Sequence, residues 1–383
     1  MKSLLESMNI ALVHDWLTNV AGAEKVLLVL KEIFPNASIY TSVFDPKKAE
    51  PFKKFDIITT YLQGMPLVKN KRELLIPLTP LAFESINLND YDLVISNTTM
   101  PAKGVITNPD TIHICYCHTP TRYLWEPELD PRASGGAFSG LRKKVAHRLR
   151  IWDKVAADRP DYYFANSSYI QKRIKKYYGR DSKVIYPPVD VKKFVPVSQD
   201  QIKDYFLFVS RLVGYKKCDI VVEAFNKLGL PLKIIGSGPE KKNLQKIAKS
   251  NIEFLGFLSD LELKKYYSQA RAFIFAAEED FGIVPVEAES CGRPVIAYGK
   301  GGATETVIDG KTGVFFGEQS SESIIAAVRK FNSNKFDSRV IRKQAEKFST
   351  ERFSREFVEE VKKIISKEIS NTDHQHRSTQ IIN

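Results

Sequence analysis

The chain has 383 residues, 43% hydrophobic and 11% aromatic, with a formal net charge of +12. That length exceeds one ordinary core and points to two domains, and the composition excludes a disordered chain. No apolar run reaches the roughly 20 residues that a bilayer-spanning helix needs.

The start, MKSLLESMNIALVHDW, lacks a signal-peptide layout because Glu6 and Asn9 interrupt it. Cys115, Cys117, Cys218 and Cys291 form no disulfide framework, so the expected location is cytoplasmic. NIALVH reads as the first strand, and Gly22 in HDWLTNVAGAEKV opens a helix. ASIYTSVF, DLVISN, TIHICYC and DYYFAN follow as buried strands, alternating with helical stretches, one of them after Ser167. Prolines 187, 188 and 196 in YPPVDVKKFVPVSQDQ break the pattern and divide an N-terminal domain, 1–190, from a second, 191–350. The alternation restarts with DYFLFVSR, PLKIIG, NIEFLG, RAFIFAA, PVIAYG and GVFF. Such alternation implies parallel sheets with helices on both faces, hence an α/β fold of two doubly wound, Rossmann-like domains. Residues 351–370 read as a helix packing back on the N-terminal domain, and 371–383 as a flexible polar tail.

The charge is concentrated. Between Leu141 and Lys183 stand thirteen Lys or Arg against four Asp or Glu. Such a patch suits nucleic acid, acidic lipid or a phosphorylated ligand. Leu141, Val145, Leu149, Trp152 and Ala156 share one helical stripe, with Arg142, Lys143, Arg148 and Arg150 elsewhere on the wheel. Core packing is the preferred reading of that stripe, and docking on anionic lipid the alternative. No aromatic-rich RNA module or helix-turn-helix accompanies the charge, so nucleic acid is not an expected partner.

Ligands of doubly wound sheets sit beyond the carboxyl ends of the strands. There, Gly22 precedes free helix N–H groups, as do Gly236 and Gly238 in IIGSGPEKK. Arg211 ends a strand in SRLVGYKK with Lys216 five residues on, two cations suited to a diphosphate. His113, Cys115, Cys117 and His118 have the composition of a metal cluster. Strand alternation separates His118 from the other three, however, and closed zinc sites draw on two segments, so no metal is expected. His118 stands at the strand end, toward the cleft. In EEDFGIVPVEAES, Glu279 and Glu287 flank Phe281-Gly282, where glycine permits close backbone approach and a new helix offers unpaired N–H groups.

Taken together, EDFGIVPVE, SRLVGYK, IIGSGPE, FLGFLSDLELKKYYSQARAFIF and GGATETVIDGKTGVFF resemble, in order and spacing, the retaining GT-B glycosyltransferases of the family four type. HDWLTNVAGAEKV and YCHTPTRYLWE look most like bacterial mannosyltransferases that assemble O-antigen and related polysaccharides. Ala21 stands where that family often has a second glycine, and Ala276-Ala277 where Pro-Ser is frequent.

The resemblance implies two domains facing a central cleft and transfer of a hexose from a nucleotide sugar with retained configuration. It implies GDP-mannose as donor, a UDP-hexose being the alternative, and a lipid-linked saccharide as acceptor at the inner face of the membrane. It also implies that Glu287 accepts from ribose hydroxyls and Glu279 from the hexose. Backbone N–H groups at Phe281, Gly282 and Ile283 meet sugar or phosphate. Arg211 and Lys216, helped by Gly22, neutralise the departing diphosphate without a metal cofactor. His118 orients the sugar, and Asp15 and Arg122 belong to the acceptor side. A nucleotide-sugar epimerase or a phosphorylase would share the fold.

Overall fold

In the computed structural model, which describes residues 5, 7–66, 72–126, 139–333 and 335–380, the apolar runs form two parallel sheets. The first contains β1 (Ile10–His14), β2 (Ser38–Thr41), β3 (Ile57–Thr59), β4 (Leu93–Thr98), β5 (Ile112–Cys117), β6 (Tyr162–Ala165) and β7 (Lys183–Val184), in the order β3-β2-β1-β4-β5-β6-β7. The second contains β8 (Phe206–Val209), β9 (Leu232–Ile235), β10 (Ile252–Gly256), β11 (Ala272–Phe275), β12 (Val295–Tyr298) and β13 (Gly313–Phe316), in the order β10-β9-β8-β11-β12-β13. Strand order reverses beside β1 in one sheet and beside β8 in the other, which opens a crevice at each carboxyl edge. β1 is buried along its whole length, with Leu12 paired to Ile39 of β2 and Ile95 of β4, which is why it reads as unbroken apolar sequence.

Five helices position the site: α1 (Gly22–Ile33), α2 (Ser139–Ala156), α3 (Ser168–Tyr178), α4 (Ile283–Ser290) and α5 (Thr350–Gln380). α2 settles the question of the apolar stripe. Leu149 and Ala156 are buried, Val145 and Trp152 half-buried, and Leu141 is exposed at the first turn, so most of the stripe is core. From the buried face of α2, Asp153 accepts from Lys103 Nζ, Thr121 Oγ1 (3.0 Å), Trp125 Nε1 (2.7 Å) and Tyr178 OH (2.9 Å). That one carboxylate anchors the segment that follows β5.

The chain crosses between domains twice, side by side. Val189 N–H donates to Phe348 O (2.9 Å), and Arg352 Nη2 donates to Tyr186 O (2.8 Å). Beyond this crossing α5 returns to the N-terminal domain, burying Phe353, Phe357, Val361, Ile364 and Ile365 in the same core as Leu12, Ile39 and Phe164. The Phe357 ring lies 5.2 Å from that of Phe164 and 6.3 Å from that of Phe34. The tail expected from residue 371 is instead helical to Gln380, since neither Gly nor Pro occurs between Thr350 and Gln380 to stop the helix.

Phe357→Ala removes a ring from this core and should cost about 3–5 kcal/mol of unfolding free energy. Urea titration followed by a probe in the N-terminal domain checks it.

Candidate active site

The loops after β1, β4 and β5 face those after β8 and β11 across the cleft, and the walls touch. A Cβ added at Gly22, where α1 begins, would lie 3.0 Å from Ile283 Cδ1 at the start of α4. Two helix N-termini are thus brought to one place, one from each domain, each rich in unpaired N–H groups.

On the C-terminal wall, glycine serves backbone crossing. Gly236 has φ +135, and a Cβ there would fall 1.9 Å from Ser210 O; one at Gly238 would fall 2.2 Å from Leu212 O. These two residues let the loop after β9 lie against the loop after β8, which carries Arg211. Arg211 is exposed and donates to Tyr215 OH (3.2 Å), whereas Lys216 Nζ donates to Glu279 Oε1. The two predicted phosphate cations therefore have different partners. Glu279 itself is held by two glycines outside the predicted set: Gly302 N–H donates to Glu279 O (2.8 Å), and a Cβ at Gly301 would meet that oxygen at 2.5 Å. Gly282, with φ 87, turns the chain into α4. Glu287, one turn on and buried, accepts from Tyr267 OH (3.1 Å) and from Lys25 Nζ of α1 (3.2 Å) across the cleft. The Phe281 side chain does not face a ligand. It is 3% exposed and packs on Tyr186 and Phe348 at the interdomain crossing.

On the N-terminal wall, Asp15 is likewise used internally. Its oxygens accept from the N–H groups of Thr99 (2.6 Å), Met100 (3.3 Å) and Ala102 (3.0 Å) and from the hydroxyls of Thr98 and Thr99, so it shapes the loop after β4. His118 sits at the end of β5 with Nε2 2.7 Å from Asn97 Oδ1. Burial and the neighbouring His14 push its pKa down to about 4, against the pull of Asp15, Glu24 and Asp280. Arg122 Nη2 reaches Asp280 Oδ1 of the other domain (2.7 Å), an oxygen that also accepts from Arg173 Nη1 (2.9 Å).

Asp280, Arg173, Lys25, His14, Glu24 and Asn97 were not among the predicted site residues. Asp280 lies inside the quoted motif, but its partners are 107 and 158 residues away, and nothing in the local pattern names them.

The histidines and cysteines of β5 and its end are buried. His113 Nε2 pairs with Ser96 Oγ (2.9 Å), and Cys115 and Cys117 are buried thiols. The chain's Asp-x-Asp pair, Asp90 and Asp92, lies at the amino end of β4, where Asp92 accepts from Asn9 N–H (2.8 Å). Among the described residues, no three His, Cys, Asp or Glu side chains gather in a way that could hold a metal ion.

Two Rossmann-like domains meeting at their carboxyl edges define the GT-B architecture. The family model described as Glycosyltransferase Family 4 matches residues 20–193, and that described as Glycosyl transferases group 1 matches 192–348. The chain belongs to this family and is a glycosyltransferase.

Among similar proteins is alpha-1,3/1,6-mannosyltransferase ALG2 of Dictyostelium discoideum, 24% identical over 80% of this chain and 86% of that one. A GDP-mannose-dependent alpha-(1-6)-phosphatidylinositol monomannoside mannosyltransferase of Mycolicibacterium smegmatis is 29% identical over 42% of this chain and 50% of its own. In the solved structure of Anabaena Alr3699/HepE with UDP and glucose, 99% of that chain aligns with 93% of this one, at TM-score 0.66 and 20% identity. Sucrose-phosphate synthase from Thermosynechococcus elongatus aligns over 94% of this chain and 99% of its own, at TM-score 0.70 and 17% identity. At those identities the structures establish the fold alone.

The depressed pKa of His118 has a thermodynamic sign. The unfolded state takes up this proton near pH 6.5 while the native state refuses it until about pH 4, so stability is lost as pH falls through that window. Urea unfolding across it should show the wild type losing about 1.4 kcal/mol per pH unit more than His118→Asn.

Proposed function

We propose that this enzyme transfers mannose from GDP-mannose, with retention, to a hydroxyl of a lipid-linked or oligosaccharide acceptor in bacterial, O-antigen-like surface polysaccharide synthesis. The observation that carries the reading is the convergence of Lys216, Glu279 and Glu287 on one wall with the α1 N-terminus and His118 on the other. Mannose and a lipid acceptor are supported by the mannosyltransferases this chain is similar to, one of them named for GDP-mannose and phosphatidylinositol monomannoside.

The residues present do the work as follows. Negative charge grows on the bridging oxygen as the glycosidic bond breaks, and fixed cations and helix N–H groups stabilise it. Lys216 is preoriented by Glu279, and Lys25 by Glu287. Donor binding exchanges these partners: the diphosphate takes the ammonium groups, while sugar and ribose hydroxyls donate to the two carboxylates. Each charge thus changes partner without being left unpaired. Arg211, exposed beside Tyr215, swings in on the outer phosphate. The acceptor attacks from the face the diphosphate leaves, and a departing phosphate oxygen takes its proton. No metal cofactor is required in this scheme. The acceptor approaches over the N-terminal domain, where the outer face of α2 presents Leu141, Lys144, Arg148, Ile151 and Val155 to solvent, an apolar and basic stripe suited to an anionic membrane surface.

Arg211→Ala and Lys216→Ala should each lower kcat by about 10²–10³ at saturating donor, and EDTA should leave wild-type turnover unchanged. Wild-type kcat in both variants, or loss on chelation restored by manganese, overturns the charge-clamp mechanism. Calorimetry should show GDP binding and UDP failing to compete; the reverse order would reassign the donor to a UDP-hexose.

A further inference from the structure

A buried polar chain runs from α1 through β1 and β4 to the end of β5. Its members are Glu24, His14, Asn97 and His118, all less than 9% exposed. We propose that Glu24, His14 and Asn97 are positioning residues that hold His118 as the tautomer with hydrogen on Nε2, leaving the Nδ1 lone pair to accept a hydrogen bond from a donor-sugar hydroxyl.

The hydrogen bonds fix each orientation in turn. Asn97 Nδ2 donates to Ala23 O (2.9 Å), which settles the direction of its amide and turns Oδ1 to His118. An amide oxygen only accepts, so His118 Nε2, 2.7 Å away, must be the donor, and in a neutral ring Nδ1 is then an acceptor. No hydrogen bond to another described residue occupies Nδ1. The backbone oxygen of Asn97 accepts from His14 Nδ1 (2.7 Å), an atom that also stands 3.0 Å from Asn97 Nδ2, while His14 Nε2 stands 3.6 Å from Glu24 Oε1. Glu24 Oε2 in turn accepts from Ala21 N–H (2.9 Å) at the start of α1.

Charge points the same way. Burial opposes a proton on His14, yet Glu24, Asp15 and the Asn97 carbonyl outweigh it, so the His14 pKa is raised above that of a free imidazole. The groups that bear on His118 are His14 from β1, Asp15 after it, Glu24 from α1 and Asp280 from the other domain. Of these, only His14, in its protonated form, disfavours a second proton on the ring.

The proposal rests on the reading that His118 meets the donor sugar, and the test separates the two. The full-length protein, labelled with nitrogen-15 in its histidines, is titrated by NMR while the pH profile of kcat/KM for the donor is recorded. Wild-type His118 should show the Nε2–H tautomer and stay neutral above pH 5. Asn97→Asp places a carboxylate at Nε2, and His14→Gln keeps a donor to the Asn97 carbonyl while removing the ring that can take up a proton. Both should raise the His118 pKa and move the acid limb of the profile to higher pH. On that limb kcat/KM should fall about tenfold for each pH unit by which the limb moves. Should Asn97→Asp fail to fold, His14→Gln carries the test alone. An unmoved His118 resonance in the variants overturns the relay. A moved resonance with an unmoved profile overturns its link to the sugar, and activity with another donor leaves the relay standing while removing the mannose assignment.

Discussion

One carboxylate, Asp280, joins the halves of this enzyme. It stands between Glu279 and Phe281, yet its side chain is held by Arg122 and Arg173 of the other domain, and Ser167 Oγ donates to its backbone oxygen (2.5 Å). Around it, Tyr169 OH donates to Glu278 (2.9 Å), and Glu305 caps α3 by accepting from Ser168 and Tyr169 N–H groups. The segment that presents Glu279 is therefore tied to both domains. Arg173 also reaches Thr119 (2.9 Å), one residue from His118, so the histidine and the donor segment share a single support. These pairs are partly buried, and salt screens them less than it would surface pairs.

The glycines express the same constraint on the C-terminal side. Gly236 and Gly238 bring the loop after β9 onto the loop bearing Arg211, and Gly301 and Gly302 bring the loop after β12 onto Glu279. Backbone packed against backbone gives the charged side chains rigid bases, which is what preorganised electrostatic catalysis requires. Asp153 performs the corresponding service in the N-terminal domain. As a buried ion pair with Lys103 it is weak evidence for stability, but its further hydrogen bonds from Thr121 and Trp125 fix the path of the chain after His118.

Much of this was legible from local pattern, and the exceptions have physical causes. Long apolar runs such as IALVH announced central strands because both faces are covered. β3 and β7, three and two residues long, are too short to show a period. The glycines around the cleft were visible as residue types, but their partners are carbonyl oxygens that no sequence pattern marks. The Asp15 carboxylate also holds a loop and the Phe281 ring fills the interdomain crossing, structural tasks that the local sequence does not announce. The relay through His14 and Asn97 escaped because its members belong to separate strands and read as isolated polar residues in apolar surroundings.

The return of α5 also bears on how the molecule is made. The hydrophobic layer over β1 and β2 contains Phe353, Phe357 and Val361, which leave the ribosome only after the whole C-terminal domain has been synthesised. The first half to be translated is thus the last to be completed, and it waits with part of its interior uncovered while the second half folds. Damage to this late helix accordingly falls on the N-terminal domain, far away in the chain but adjacent in space.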